Sequence, residues 1–153
     1  MRTVRDGEGT RYLLVKRSSS ASLVRNPETG ETRYLENDRL TAEDDVSDLE
    51  TIAAAVDEPV RTLLVGVHDE ETLGLLVDLS REGPMAAKTL LERYDFCESD
   101  LHGRLLECQA AGLLEEADVY GDRGYRVTEY CERGLEVILT GGGDDSSDER
   151  PGQ

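Results

Sequence analysis

Apolar residues recur along this chain with two different spacings, and the change from one to the other divides it. In residues 1–40 they come in short runs: Tyr12-Leu13-Leu14-Val15, then Ser22-Leu23-Val24-Arg25 after a polar break, and finally Glu31-Thr32-Arg33-Tyr34-Leu35. Runs this short, bounded by polar or turn-forming residues, read as β-strands. Asn26-Pro27-Glu28-Thr29-Gly30 between the last two is a turn, because proline presets φ and glycine accepts positive φ. The expectation is a small antiparallel β-meander of three strands, too small to be stable by itself.

Beyond residue 40 the spacing becomes helical. Thr41 to Asp48 is acidic and weakly apolar, so residues 41–57 read as a linker with one short helix, Leu49 to Val56, capped by Asp48. Pro59 suits the first turn of the next helix, in which Val60, Leu63, Leu64 and Val67 form a stripe ending near His68. At that end an imidazolium is favoured by the helix dipole, and no nearby Cys or His makes His68 a metal ligand. Glu70 to Arg81 is a further helix with Leu73, Leu76, Val77 and Leu79 inward, stopped by Glu82-Gly83-Pro84. Pro84 to Tyr94 is the next, with Leu90 and Leu91 inward and Lys88 and Arg93 free.

The stretch that follows, FCESDLHGRLLECQAAGLL from Phe96 to Leu114, carries the most information. Leu101, Leu105 and Cys108 fall on one helical face, and Gly112 suits the left-handed residue that ends a helix. The opposite face holds Ser99, Asp100, His102, Gly103 and Arg104, short or polar groups with no core to fill. Leu113 to Val119 and Gly124 to Val127 read as two strands joined by the turn Tyr120-Gly121-Asp122-Arg123-Gly124. Thr128 to Thr140 is a closing helix with Thr128 as its cap and Tyr130, Leu135, Ile138 and Leu139 apolar. Residues 141–153 are a Gly, Ser and acid tail without packing material, expected to be disordered.

Charge changes how this pattern is used. The 153 residues carry 34 acids against 17 bases, a net −17, and only Lys16 and Lys88 are lysines. An acid excess spread along the chain, with arginine preferred to lysine, looks like the surface of a protein from a salt-loving archaeal cell. Such a charge opposes a polyanion partner in dilute buffer, but at molar salt the Debye length falls to about 3 Å and only near contacts count. Residues 1–40 run against the trend, with eight bases and six acids. That local excess suits an acidic partner or a second DNA contact, or arginines paired with nearby acids. Three cysteines without pair spacing, no signal peptide and no long apolar run indicate a reduced, cytoplasmic protein that does not enter a membrane.

Phe96, Glu98-Ser99, Leu101, Leu105 and Ala111-Gly112-Leu113 together resemble the recognition helix of winged helix-turn-helix regulators of the ArsR and MarR type. The likeness runs from about Thr72 to Leu139. It implies an α+β chain with a winged helix-turn-helix domain over residues 58–140, acting as a sequence-specific transcriptional regulator on double-stranded DNA. The few residues between the helices at 84–94 and 98–110 force the tight angle of that motif. The resemblance places Ser99, His102, Gly103 and Arg104 in the major groove and Lys88 among the DNA-binding residues. It places Arg123, at the wing tip, in the minor groove and Arg126 on a phosphate. It also implies a homodimer through the last helix. Cys97 matches the first thiolate of the ArsR metal motif, but Ser99 occupies the second position, and one thiolate makes a poor soft-metal site. With no phosphate loop, metal quartet or nucleophile beside a base, no metal, cofactor or enzymatic role is expected. The competing reading is a winged helix that touches protein rather than DNA, because Glu98 and Asp100 on the reading face repel phosphate.

Overall fold

A computed structural model describes residues 1–141, and the tail predicted for 141–153 lies outside the described residues except for Gly141. The chain divides into two units, Met1–Asp57 and Glu58 onward. Among the described residues no helix is long and apolar enough to cross a membrane.

The first unit is a five-stranded antiparallel sheet built from β1 (Arg2–Arg5), β2 (Arg11–Arg17), β3 (Ala21–Arg25), β4 (Thr32–Glu36) and β5 (Thr41–Ala42), in the order β4-β3-β2-β1-β5. The three predicted strands are present as β2, β3 and β4. Two more join them, because RTVR and TA acquire strand character from pairing rather than from any apolar run of their own. One face buries Val4, Tyr12 and Val24, with Leu14, Leu35 and Leu40 packed beside them. The segment expected to be a linker instead closes this unit. Glu43 pairs with Arg5 and Arg11, Asp44 with Arg2, and the helix α1 (Asp48–Ala53) hydrogen-bonds through Thr51 to the buried Thr3 at 2.7 Å. Ser47, not Asp48, caps α1, in a reciprocal box with Glu50 that satisfies two terminal N–H groups.

The second unit runs α2 (Glu58–Gly66), α3 (Glu70–Glu82), β6 (Met85–Ala86), α4 (Ala87–Arg93), α5 (Glu98–Ala110), β7 (Leu114–Val119), β8 (Asp122–Val127) and α6 (Glu129–Thr140). Its core joins Leu63, Leu75, Leu76, Leu79, Leu90, Leu101, Leu105, Cys108, Leu113, Tyr125, Cys131 and Leu135. The predicted helix from Pro84 starts later than expected because Met85 and Ala86 pair with Tyr125 and Gly124, giving a three-stranded sheet in the order β6-β8-β7. Gly124 permits that approach: a Cβ there would lie 2.5 Å from the Met85 carbonyl oxygen. α2 buries most of its expected stripe: Leu63 enters the core, Val60 and Val67 are half-buried, and Leu64 alone stays outside. α6 packs on it through Gly134, against Pro59 and Leu63, so Leu63 is buried and Leu64 is 65% exposed. On α6 it is likewise Cys131 and Leu135 that are buried, while Ile138 and Leu139 stay outside.

Candidate functional site

α5 is laid down as its sequence indicates. Leu101, Leu105 and Cys108 enter the core, and Gly112 adopts φ 77° just beyond the helix, which releases the chain into β7. Ser99, His102 and Gly103 are exposed on the outer side. Between α5, α4 and β8 lies a concavity of about 630 Å³, with Ser99 and His102 on its rim and Leu91 and Tyr125 among its walls. Of the residues expected to make contact, the structure thus sets Ser99 and His102 at this concavity and leaves Gly103 exposed beside them.

Arg104 is placed otherwise. Its side chain, only 18% exposed, turns away from the outer face and onto the start of α3. There it donates to Asp69 at 2.6 Å, Thr72 at 2.7 Å, Glu71 at 2.9 Å and Asp100 at 3.2 Å, and its guanidinium carbon sits 5.1 Å from the Phe96 ring centroid. Hydrogen bonding to Asp69 raises its pKa further above the ordinary arginine value. Asp69 caps α3 by accepting from the Thr72 N–H, and that bond, more than the guanidinium, holds its carboxyl below the usual carboxylate range. Arg104 is thus a clamp between α5 and α3 rather than an outward contact.

The hairpin also differs from expectation in a way that relocates a candidate. β7 and β8 are joined by two residues, Tyr120 and Gly121, with φ of 53° and 87°, as a type I′ turn requires. Arg123 therefore lies in β8 rather than at the tip, and the tip carries the fully exposed Tyr120. A left-handed tyrosine is strained, because only glycine, asparagine and aspartate visit that region readily. Two strands of six residues around a Tyr-Gly pair are the signal that could have located this turn. Within β8, Arg123 shares a sheet face with the buried Tyr125 and Val127, whereas Arg126 leaves from the opposite face.

Each remaining candidate base has a carboxylate. Arg123 pairs with Glu116, Arg126 with Glu115 at 2.6 Å, and Lys88 with Asp122 at 2.9 Å. Those hydrogen-bonded partners raise the pKa of Arg123 and of Lys88. All three side chains remain more than half exposed, so these pairs are open to exchange. Cys97 is exposed at the start of α5, with its thiol 3.5 Å from the Ser99 hydroxyl, whose hydrogen bond lowers the thiol pKa. Cys108 and Cys131 are buried, and burial pushes their pKa values up to about 11 and about 12. Among the described residues no group of three His, Cys, Asp or Glu side chains could hold a metal ion. Tyr94, which no sequence pattern singles out, donates its hydroxyl to Asp78 on α3, and partial burial raises its pKa to about 12.

No curated protein and no solved structure matches this chain. A family model does match, across residues 1–139 and hence both units, and the chain belongs to that family, a family of unknown function (DUF7346).

Proposed function

We propose that the second unit is a winged helix-turn-helix domain that reads double-stranded DNA with α5, making the chain a transcriptional regulator. The order α3-β6-α4-α5-β7-β8-α6 supports this reading, with a short strand between the first two helices and a hairpin after the third. The observation that carries it is the outer side of α5. A thirteen-residue helix fixed by three buried side chains and an arginine clamp leaves Ser99, His102 and Gly103 bare. Small polar groups on a rigid helix suit insertion into a major groove.

Charge sets the conditions. Exposed ion pairs are worth about 0–1 kcal/mol, so a phosphate can replace Glu116 on Arg123 or Asp122 on Lys88 at little cost. Arg123 is the wing base on the side of α5, since Tyr125 on the same sheet face borders the concavity below Ser99 and His102. Arg126 reaches a phosphate only from the other side of the wing. The acids Glu98, Asp100 and Glu107 on α5 make molar salt the medium in which binding is expected.

A homodimer through α6 belongs to the same proposal. Val137, Ile138 and Leu139 on α6, with Leu64 and Val65 on α2, are 39–71% exposed, an apolar surface that a second copy can cover. In the first unit Lys16, Arg17, Arg25, Arg33 and Arg39 make no ion pair among the described residues, which keeps an acidic partner for that sheet in view.

The second reading is a winged helix that contacts protein instead of DNA, favoured by the inward turn of Arg104, the only base on α5. Selection of duplexes from a random-sequence library in 2 M KCl (a salt level of the order at which screening is near complete) separates the two. DNA reading predicts enrichment of a sequence and loss of binding in His102→Glu, a substitution at an exposed residue. Absence of enrichment decides for the protein-contact reading.

A further inference from the structure

A cleft of about 910 Å³ runs along the outward side of α3, away from the outer face of α5. Its floor is apolar, made by Leu73, Leu75 and Val77. One end is closed by Phe96 from the α4–α5 turn, and Tyr94, bonded to Asp78, follows it along the cleft, with ring centroids 6.4 Å apart and planes inclined at 59°. The faces of such rings are electron-rich and attract cations.

The charge at this end agrees. Glu70, Glu71 and Asp95 line it, and neither Glu70 nor Asp95 forms an ion pair among the described residues. Of the two bases of the cleft, Arg93 is held by Glu82 and Asp78 beside Tyr94, and Arg81 lies toward the far end of α3 from Glu70. The protein already seats one cation against the aromatic wall: the Arg104 guanidinium lies on Phe96 and pairs with Glu71. Ring and carboxylate are thus arranged to hold positive charge.

We propose that this cleft binds a hydrophobic organic cation, its apolar body on Leu73 and Val77 and its charge between Phe96, Glu70 and Asp95. The volume falls in the range of small-molecule sites, roughly 300–1,000 Å³. A ligand seated there shares Phe96 and Glu71 with the Arg104 clamp, so occupancy bears directly on the hold over α5. The site does not depend on what α5 reads.

Two ions of one shape and opposite charge test it: tetraphenylphosphonium and tetraphenylborate, titrated calorimetrically into the full chain in molar NaCl. The phosphonium is expected to bind saturably and at least tenfold more tightly than the borate. Leu73→Arg, which sets a cation in the cleft at a residue already 36% exposed, should weaken the phosphonium at least tenfold with an unchanged circular dichroism spectrum. Phe96→Leu should weaken it likewise. Equal affinity for the two ions, no saturable phosphonium binding, or undiminished binding by Leu73→Arg overturns the proposal.

Discussion

Replacing Arg104 by alanine distinguishes a structural clamp from a DNA contact, and the geometry gives the size of the effect. The side chain makes three ion pairs whose carboxylate partners are 46–70% exposed. Pairs of that kind contribute about 0.2–1 kcal/mol each, and less as salt rises. The stack on Phe96 adds roughly 0.5–1 kcal/mol and is less sensitive to salt. The bond to Thr72, whose residue is buried, is the least exposed of the set. Together these give about 2 kcal/mol in moderate salt and about 1 kcal/mol or more in molar salt, summed from the same ranges. For a unit of this size each 1 kcal/mol moves Tm by roughly 4–8 °C. Urea unfolding of the full chain at two KCl concentrations, followed by circular dichroism, should show Arg104→Ala destabilised at both and more so at the lower. Arg104→Lys should recover the ionic part but not the planar stack. A variant with wild-type stability that had lost DNA binding would show that Arg104 faces a partner and that the clamp argument is wrong.

Three further outcomes follow from packing and titration. At neutral pH a chromogenic disulfide should label Cys97 quickly and Cys108 and Cys131 only after unfolding, because burial holds those two thiols near pKa 11 and 12; rapid labelling of all three contradicts the core assignment. Tyr94 should ionise near pH 12, after a tyrosine of ordinary pKa, as read by absorbance at alkaline pH. Its folded pKa lies above the unfolded value near 10, so the stability it contributes is full below pH 10 and lost as pH rises through 12; Tyr94→Phe should remove that alkaline step, and an unchanged titration curve contradicts the assignment. Gly134→Ala should cost about 1–3 kcal/mol in urea unfolding, since the new Cβ would stand 2.7 Å from Leu63 and 2.8 Å from the Pro59 carbonyl oxygen. A neutral result would mean that α2 and α6 are not packed at that point.

What the sequence disclosed and what it hid have separate physical causes. Leu101, Leu105 and Cys108 were readable because burial on a helix is a local matter of spacing, and Gly112 because a left-handed residue is nearly a glycine requirement. β1 and β5 were hidden because a strand with one apolar residue exists through its neighbour across the sheet. On α2 the stripe is legible except at Leu64, which stays 65% exposed while Leu63 is buried and Val60 and Val67 are half-buried. Which part is covered depends on Gly134, more than seventy positions after Pro59 in a sequence that shows no link between them.

The candidate site divides along the same line. Ser99, His102 and Gly103 were legible as a face because nothing on their own helix claims them. Arg104 sits among them in sequence, yet its partners Asp69, Glu71 and Thr72 come from a helix 32–35 residues earlier. In a chain with twice as many acids as bases, an arginine at the surface readily finds a carboxylate of the same unit, as Arg93, Arg104, Arg123 and Arg126 do in the second. A base counted from sequence is therefore a poor guide to free positive charge in so acidic a protein. What distinguishes the four is how much of the pair water already reaches. Arg123 and Arg126 can trade a carboxylate for a phosphate at the surface, while Arg104 cannot leave Phe96 and Thr72 without loosening α5, the helix whose outward face the proposed function requires to be rigid.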